Sequence, residues 1–517
     1  MSETIDIFVP LDDADAPLGP RLERALGWAA GTAGPWRIIR RSLDARRGRA
    51  LGYRLRVEAA RTGEALAAPL LPRQPVSWPA GKPAPRVVIV GSGPAGSWAA
   101  LRLMEAGVPS TIVELGKPVQ PRRRDLALAN RGQLNQTSNY CFGEGGAGTY
   151  SDGKLYTRSK DRDGVAAVLA DLVRFGAPPE IEADSRPHVG SNRLPKVLTA
   201  LREHLETHGV TYRFDTEVSG LRSDGGRLRA LRLKGGDEIG ADVVVLAVGH
   251  SARTVYAWAA AAGLALERKA TAVGVRLEHP QSVIDQLQYG RAAGHPKLPA
   301  AFYELRAEGA GRGVYSFCMC PGGWMVPAAT ESDGVVVNGM SLSRRDSPFA
   351  NSGLVVTASA DDLGPAAAGP LAGIEFQRDI ERAAARAGGG ALRLPAQRLV
   401  DFLESRRSTS IGDSSYRPGL QPADLSEVLP PFVVAALRDG LREIGGRLPP
   451  FLHAAAVLVA PETRTSAPVR IVRDPITLQS PSLPGLYPAG EGAGYAGGIV
   501  SAALDGARIA DRIVAAG

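Results

Sequence analysis

A short apolar run, Val87-Val88-Ile89-Val90, leads straight into Gly91-Ser92-Gly93-Pro94-Ala95-Gly96 and then a helical stretch from Ala95 to Ala106. Gly107 stands where a helix stop is expected. A continuous apolar strand followed by a G-x-G-x-x-G turn confines the chain to a βαβ unit whose strands are buried on both faces. Gly91 permits the tight turn, Gly93 lets backbone approach a pyrophosphate, and Gly96 lets helix and strand pack closely. Ser92, Pro94 and Ala95 complete the loop whose N–H groups would meet the negative charge. Thr111-Ile112-Val113 reads as the second strand, and Glu114 follows it near the ~20-residue spacing at which a carboxylate bonds a ribose 2′-hydroxyl. An acid there disfavours a 2′-phosphate.

The fingerprint alone does not separate one dinucleotide from another, but segments far along the chain do. Ala247-Val248-Gly249 closes a buried strand, as a second contact to a dinucleotide would. Strand-like Leu486-Tyr487 leads to Gly490-Glu491, and Gly497-Gly498-Ile499 opens a final helix from about Ile499 to Val514. A carboxylate at Glu491 suits the ribityl chain of FAD, which NAD lacks. The helix start would aim its positive dipole at the flavin N1–C2=O edge. Gly145-Gly146-Ala147-Gly148 is small enough for backbone to lie against the isoalloxazine or pyrophosphate, a tight loop being the alternative. Arg122 and Val218 complete the candidate FAD contacts.

A length of 517 residues allows two or three domains. No apolar run reaches the ~18 residues of a membrane span, and the N-terminus lacks the order of a secretion signal. Three cysteines argue against a disulfide framework and for a cytoplasmic setting. The net charge of +8 raises the question of nucleic acid. Its arginines are scattered among acids, with Arg122-Arg123-Arg124 the only tight run, so an anionic small-molecule substrate is the favoured use of the positive field. The histidines show no metal-ligand spacing.

The pattern predicts an α/β protein: a Rossmann-like FAD-binding domain, an inserted α+β substrate domain and a small N-terminal α+β module. The module spans 1–80 and includes strands near Ile5–Val9, Trp36–Arg40 and Tyr53–Val57 with a helix around Leu22–Ala29. A proline-rich linker runs from Pro72 to Pro85. The FAD-binding domain is discontinuous, 85–268 and 451–517, and the substrate domain is 269–450, with strand-like Val335–Val337 and Leu354–Val356, a Gly364–Gly369 loop and a helix near Ile374–Arg386.

The run from Asn139 to Leu155, containing Cys141-Phe142-Gly143-Glu144-Gly145-Gly146-Ala147-Gly148 and Ser151-Asp152-Gly153-Lys154, resembles the signature of a bacterial family of FAD-dependent dehydrogenases. Ser42–Arg46, Ser316–Gly323, Glu462–Ile471 and Gly490–Ile499 match it too, so the likeness covers essentially the whole chain. It implies a glutathione-reductase-type FAD domain with an inserted second domain, and leaves the substrate unassigned. Leu115, where the family usually has arginine, and Cys141 and Pro327, where polar residues are expected, depart from the pattern.

Three residues are candidates for catalysis. Lys154 would offset negative charge on the flavin or a substrate carboxylate, a solvated surface lysine being the alternative. Arg464, like Arg470, would clamp a substrate carboxylate, the alternative being an ion pair with Glu462 or Asp474. Tyr495 would donate a proton near the ring, or simply pack. Cys318 and Cys320 form a C-x-C pair and read as structural, His250 follows a strand-end glycine, and Trp324 would wall a pocket or the core. The expected function is an FAD-dependent oxidoreductase passing hydride between flavin N5 and a small organic substrate, with a nicotinamide (NADH or NADPH) or a protein as electron donor. The alternatives are a flavin monooxygenase or halogenase, and an RNA-modifying flavoprotein.

Overall fold

A computed structural model describes residues 2–46, 48–67, 75–365 and 368–517. Pro72, Arg73 and Gln74 of the expected linker, and Ala366 and Ala367 of the expected loop, lie outside the described residues.

The glycine fingerprint sits at the centre of a five-stranded, all-parallel sheet. Its order is Leu486–Pro488, Val243–Leu246, Val87–Val90, Ser110–Val113, Thr211–Arg213. All four residues of Val87–Val90 are buried, because alternate side chains face different layers. Val87 and Ile89 pack into one core with the helices Pro94–Glu105, Leu194–Thr207 and Ile499–Ala515. Val88 and Val90 pack into another, with Leu228 and Leu231 of a three-stranded sheet and Val255 and Tyr256 of helix Arg253–Ala261. Each such buried aliphatic stabilises the fold by roughly 1.5–3 kcal/mol. The mixed α/β class and the Rossmann-type half are those expected.

A seven-stranded sheet forms the second large layer, in the order 306–309, 312–320, 349–358, 271–280, 457–462, 394–398, 420–422. Only its last pair is parallel. Helix Pro431–Arg447 covers it, burying Val433, Leu437, Leu441 and Ile444 in the largest core. Leu266–Arg268 and Val469–Ile471 pair antiparallel where the chain leaves and re-enters the nucleotide-binding half. Val457–Glu462, which the sequence reading groups with that half, instead pairs with strands 271–280 and 394–398 of the large sheet.

At the N-terminus, Glu3–Pro10, Gly52–Arg61 and Ala33–Asp44 form an antiparallel sheet with helix Gly19–Leu26, around Leu22, Val57 and Ala59. A bridge between Arg41 and Asp184 joins it to the rest. Among the described residues no helix is long and apolar enough to cross a membrane.

Candidate functional site

The remote glycine segments come together. A Cβ on Gly96 would lie 1.9 Å from the Gly91 carbonyl oxygen, and one on Gly91 2.4 Å from that of Ala247. Equally, a Cβ on Gly492 would meet the Gly249 oxygen at 2.5 Å, and one on Gly490 the Ala95 Cβ at 2.8 Å. These contacts tolerate no side chain, so the loops after three neighbouring parallel strands interlock through backbone. The Gly145–Gly148 loop joins them: Gly145 N–H donates to the Ser92 carbonyl at 3.1 Å, a Cβ on Gly146 would touch Gly93 Cα at 3.4 Å, and one on Gly148 would touch Ile499 at 3.0 Å.

Two long helices begin at this junction without a side-chain cap, at Gly93 and at Gly498. Their first N–H groups therefore lack the usual Ser, Thr or Asp partner. The space before Gly93 and Gly497 is open. Glu491 is half-buried beside them, and among the described residues its carboxylate makes no hydrogen bond and no salt bridge. Uncapped helix starts for a pyrophosphate and an unpartnered acid for a hydroxylated chain fit FAD. Val218 begins its strand buried, and Val248 is half-buried against the same core.

Two residues expected to contact FAD also hold the loops together. The buried Glu114 carboxylate accepts from Ser92 N and Oγ at 2.9 and 2.8 Å, from Gly116 N at 3.0 Å and from Gly143 N at 2.9 Å. It ties the fingerprint loop to the Gly143–Gly148 loop. Arg122 is fully buried and donates to the carbonyls of Asn139, Glu144, Tyr140 and Gly146 at 2.9, 2.8, 3.2 and 3.0 Å. Its guanidinium is thus a brace for the glycine loop, with four of its five N–H groups spent on these carbonyls.

The catalytic expectations fare unevenly. Arg464 is buried and pairs with Glu381, and Nη1 donates to Thr330 Oγ1 at 2.7 Å. Its partner is neither Glu462, which pairs with Arg276 at 2.8 Å, nor Asp474. Arg253 pairs with the same Glu381 at 2.7 Å, and these two cations outweigh burial to hold that carboxyl at about 2. Arg470 instead approaches Glu267 at 3.5 Å on the surface. Tyr495 packs: the Arg473 guanidinium lies 3.9 Å from its ring centre, and its hydroxyl accepts the Arg473 backbone N–H at 3.0 Å. His250, Ala147, Ser151 and Arg464 border a narrow crevice, and burial lowers the histidine's pKa. Trp324 lines a separate pocket with Arg131 and Arg417.

Lys154 is not a surface lysine. Its side chain is 17% exposed and lies 3.3 Å from Asp152, which Arg345 also grips, Nε to Oδ1 at 3.1 Å. Lys154 and Arg345 open onto a cavity of about 790 Å³, together with Arg158, Arg186, Phe302 and Cys318. Arg41 and Tyr53 of the N-terminal sheet close its other side. Sequence reasoning missed this chamber, because its walls come from stretches widely separated in the chain.

Family comparison agrees with this geometry. Residues 270–465 match the family "FAD-dependent protein, C-terminal domain-like", and residues 172–280 match "Pyridine nucleotide-disulphide oxidoreductase". An uncharacterized protein of Clostridium beijerinckii is 44% identical over 434 residues, spanning 83% of this chain and 80% of the relative. Among solved structures, CtdE in complex with FAD aligns at 14% identity and a TM-score of 0.34, covering 84% of this chain and 86% of its own. Glycine oxidase from Geobacillus kaustophilus aligns at 15% identity and 0.32, covering 84% and 95%. With a relative of that identity and coverage, and with those two family matches, this chain belongs to the FAD-dependent oxidoreductase family.

Proposed function

We propose that the protein is a dehydrogenase or reductase that works on a small organic anion held in the 790 Å³ cavity. The observation that carries the reading is the interlock of the loops at Gly91, Ala247 and Gly490 beneath two uncapped helix starts. FAD, when bound, supplies a two-electron carrier that exchanges hydride with a substrate carbon through its N5.

The chain's own residues bind and orient. Backbone N–H groups of Gly93 and Ala95 and of Ile499 would hold the pyrophosphate and the flavin carbonyl edge. Glu491 takes the ribityl hydroxyls, and Glu114 the adenosine ribose at the expense of its bond to Ser92 Oγ. Arg122 keeps the Gly145–Gly148 backbone in place for the ring. Lys154 and Arg158 attract the substrate's negative charge, and the N-terminal sheet excludes water from the chamber. On this reading the N-terminal module is a wall of the substrate site, residues 269–450 supply its opposite wall, and 85–268 with the C-terminal segment grip FAD. A nicotinamide donor shares the same cleft, or a protein delivers the electrons.

The test is purification, a visible spectrum and anaerobic titration with NADH and NADPH. A yellow protein bleached by a donor and recoloured by a small organic acid supports the reading. A colourless protein that takes up no flavin on reconstitution sinks it.

A further inference from the structure

Cys318 stands on the cavity wall in an unusual backbone state. It adopts φ +47° in strand Arg312–Cys320, where the register with 349–358 slips between Phe317 and Cys320. A non-glycine residue held in the left-handed region costs about 1 kcal/mol or more and is kept only where its surroundings fix it. The bulge separates the two thiols: Cys318 is half-buried and lines the chamber, whereas Cys320 is buried behind it.

The charges around Cys318 are cationic on two sides. Lys154 Nζ lies 3.7 Å from both sulfurs. From the strand behind, Arg276 Nη2 donates to the Cys318 carbonyl at 2.8 Å and lies 3.6 Å from Cys320 Sγ. The nearby anions are already matched, Asp152 by Lys154 and Arg345, Glu462 by Arg276. Tyr156 faces Lys154 from the cavity side, and His188 is kept neutral by burial, its pKa held at about 4. The Cys320 S–H donates to the Cys318 carbonyl at 3.4 Å, and the neighbouring Cys320 together with Lys154 and Arg276 holds the Cys318 thiol well below the usual range against the effect of burial. Cys320 moves the other way, so Cys318 is the sulfur that ionises first. A partly exposed sulfur in an electropositive pocket is the setting of reactive thiols.

We propose that Cys318 is the nucleophilic thiolate of a ligand site in this cavity, and that the site takes organic anions carrying an electrophilic carbon. The rim cation Arg158 draws in the carboxylate, and the sulfur lone pair forms the C–S bond. With a conjugated acid the C=C π pair moves to the α-carbon, where the Lys154 ammonium supplies the proton. Nothing is oxidised or reduced, and water returns the proton to Lys154. The proposal rests on the cavity being the substrate site but not on flavin, so failure to bind FAD leaves it standing.

The test is alkylation of the full-length protein at pH 6 with iodoacetate, in which the C–S bond forms and iodide leaves, read by peptide mass against neutral iodoacetamide. Cys318 should react about tenfold faster than Cys141 and favour the anionic reagent more than free cysteine does. Lys154→Met should lower that rate about tenfold and Lys154→Arg should restore it. Arg158→Ala should lower only the preference for iodoacetate. If Lys154→Met fails to fold by circular dichroism, the wild-type pH profile and Arg158→Ala decide. A Cys318 that alkylates no faster than Cys141, or only with the midpoint near pH 8.5 of an ordinary thiol, overturns the proposal.

Discussion

Arg464 meets Glu381 as a two-pronged pair deep in the molecule, Nε 3.1 Å from Oε1 and Nη2 2.9 Å from Oε2. Helix Ala372–Gly388 carries the acid, and the segment following strand Val457–Glu462 carries the base. Removing Glu381 leaves Arg464 without its carboxylate away from water, whereas removing Arg464 leaves Glu381 still paired with Arg253. Glu381→Gln should therefore destabilise the protein by about 3–5 kcal/mol in urea unfolding, and Arg464→Met by less. A loss below 1 kcal/mol in Glu381→Gln would show that the pair is not buried as described.

Glu491 is the opposite case, an acid whose carboxylate makes no hydrogen bond or salt bridge among the described residues. Glu491→Gln should leave the thermal midpoint of the flavin-free protein unchanged while weakening FAD binding about tenfold, the cost of one charge-assisted hydrogen bond. Titration of the apoprotein with FAD, followed by flavin fluorescence, measures it. Equal affinity for both proteins counts against the ribityl role.

For Arg122 the expectation is structural loss as well as cofactor loss. Arg122→Leu leaves four buried carbonyls without their donor, so both the melting temperature and flavin content should fall. Arg122→Lys keeps the charge but not the planar fork, and should recover only part of each. Full flavin content in Arg122→Leu would show that the brace is dispensable.

Acid should weaken the fold before it reaches the carboxylates. His279 is fully buried, its Nε2 donating to the Phe451 carbonyl at 2.8 Å, and burial lowers its pKa from 6.5 to about 4. Between those values the unfolded chain holds the extra proton and the native protein does not, so stability rises with pH and falls on acidification. The single histidine contributes about 2–3 kcal/mol of that fall. Urea midpoints at pH 6.5 and 4.5 test the direction, and His279→Gln should flatten the slope.

How far the sequence disclosed this depended on what surrounds each element. Val87–Val90 and Val243–Leu246 are covered on both faces, so they read as unbroken apolar runs and were placed within two residues. Strand Phe349–Ala358 was caught only in its apolar half, because buried Asn351 and Ser352 near its start look like loop residues. Asn351 is inside because Arg276 Nε donates to it at 2.7 Å, a long-range match that no local pattern contains. Likewise Val335 and Val336 suggested a strand that begins only at Val337. The glycine motifs marked the cofactor side of the site because backbone contact demands glycine. Glu381, one acid in an amphipathic helix, and Cys318, whose positive φ is a property of a bulge, left no such mark.

The bridge from Arg41 to Asp184 bears on how the chain can be cut. A fragment lacking the first sheet would keep every loop that surrounds the flavin position, and so should still be coloured. It would nonetheless lose one wall of the cavity, exposing Lys154 and the Cys318 sulfur further to bulk solvent. Shortening this protein for convenience would therefore trade selectivity for access, and a spectrum alone would never reveal the exchange.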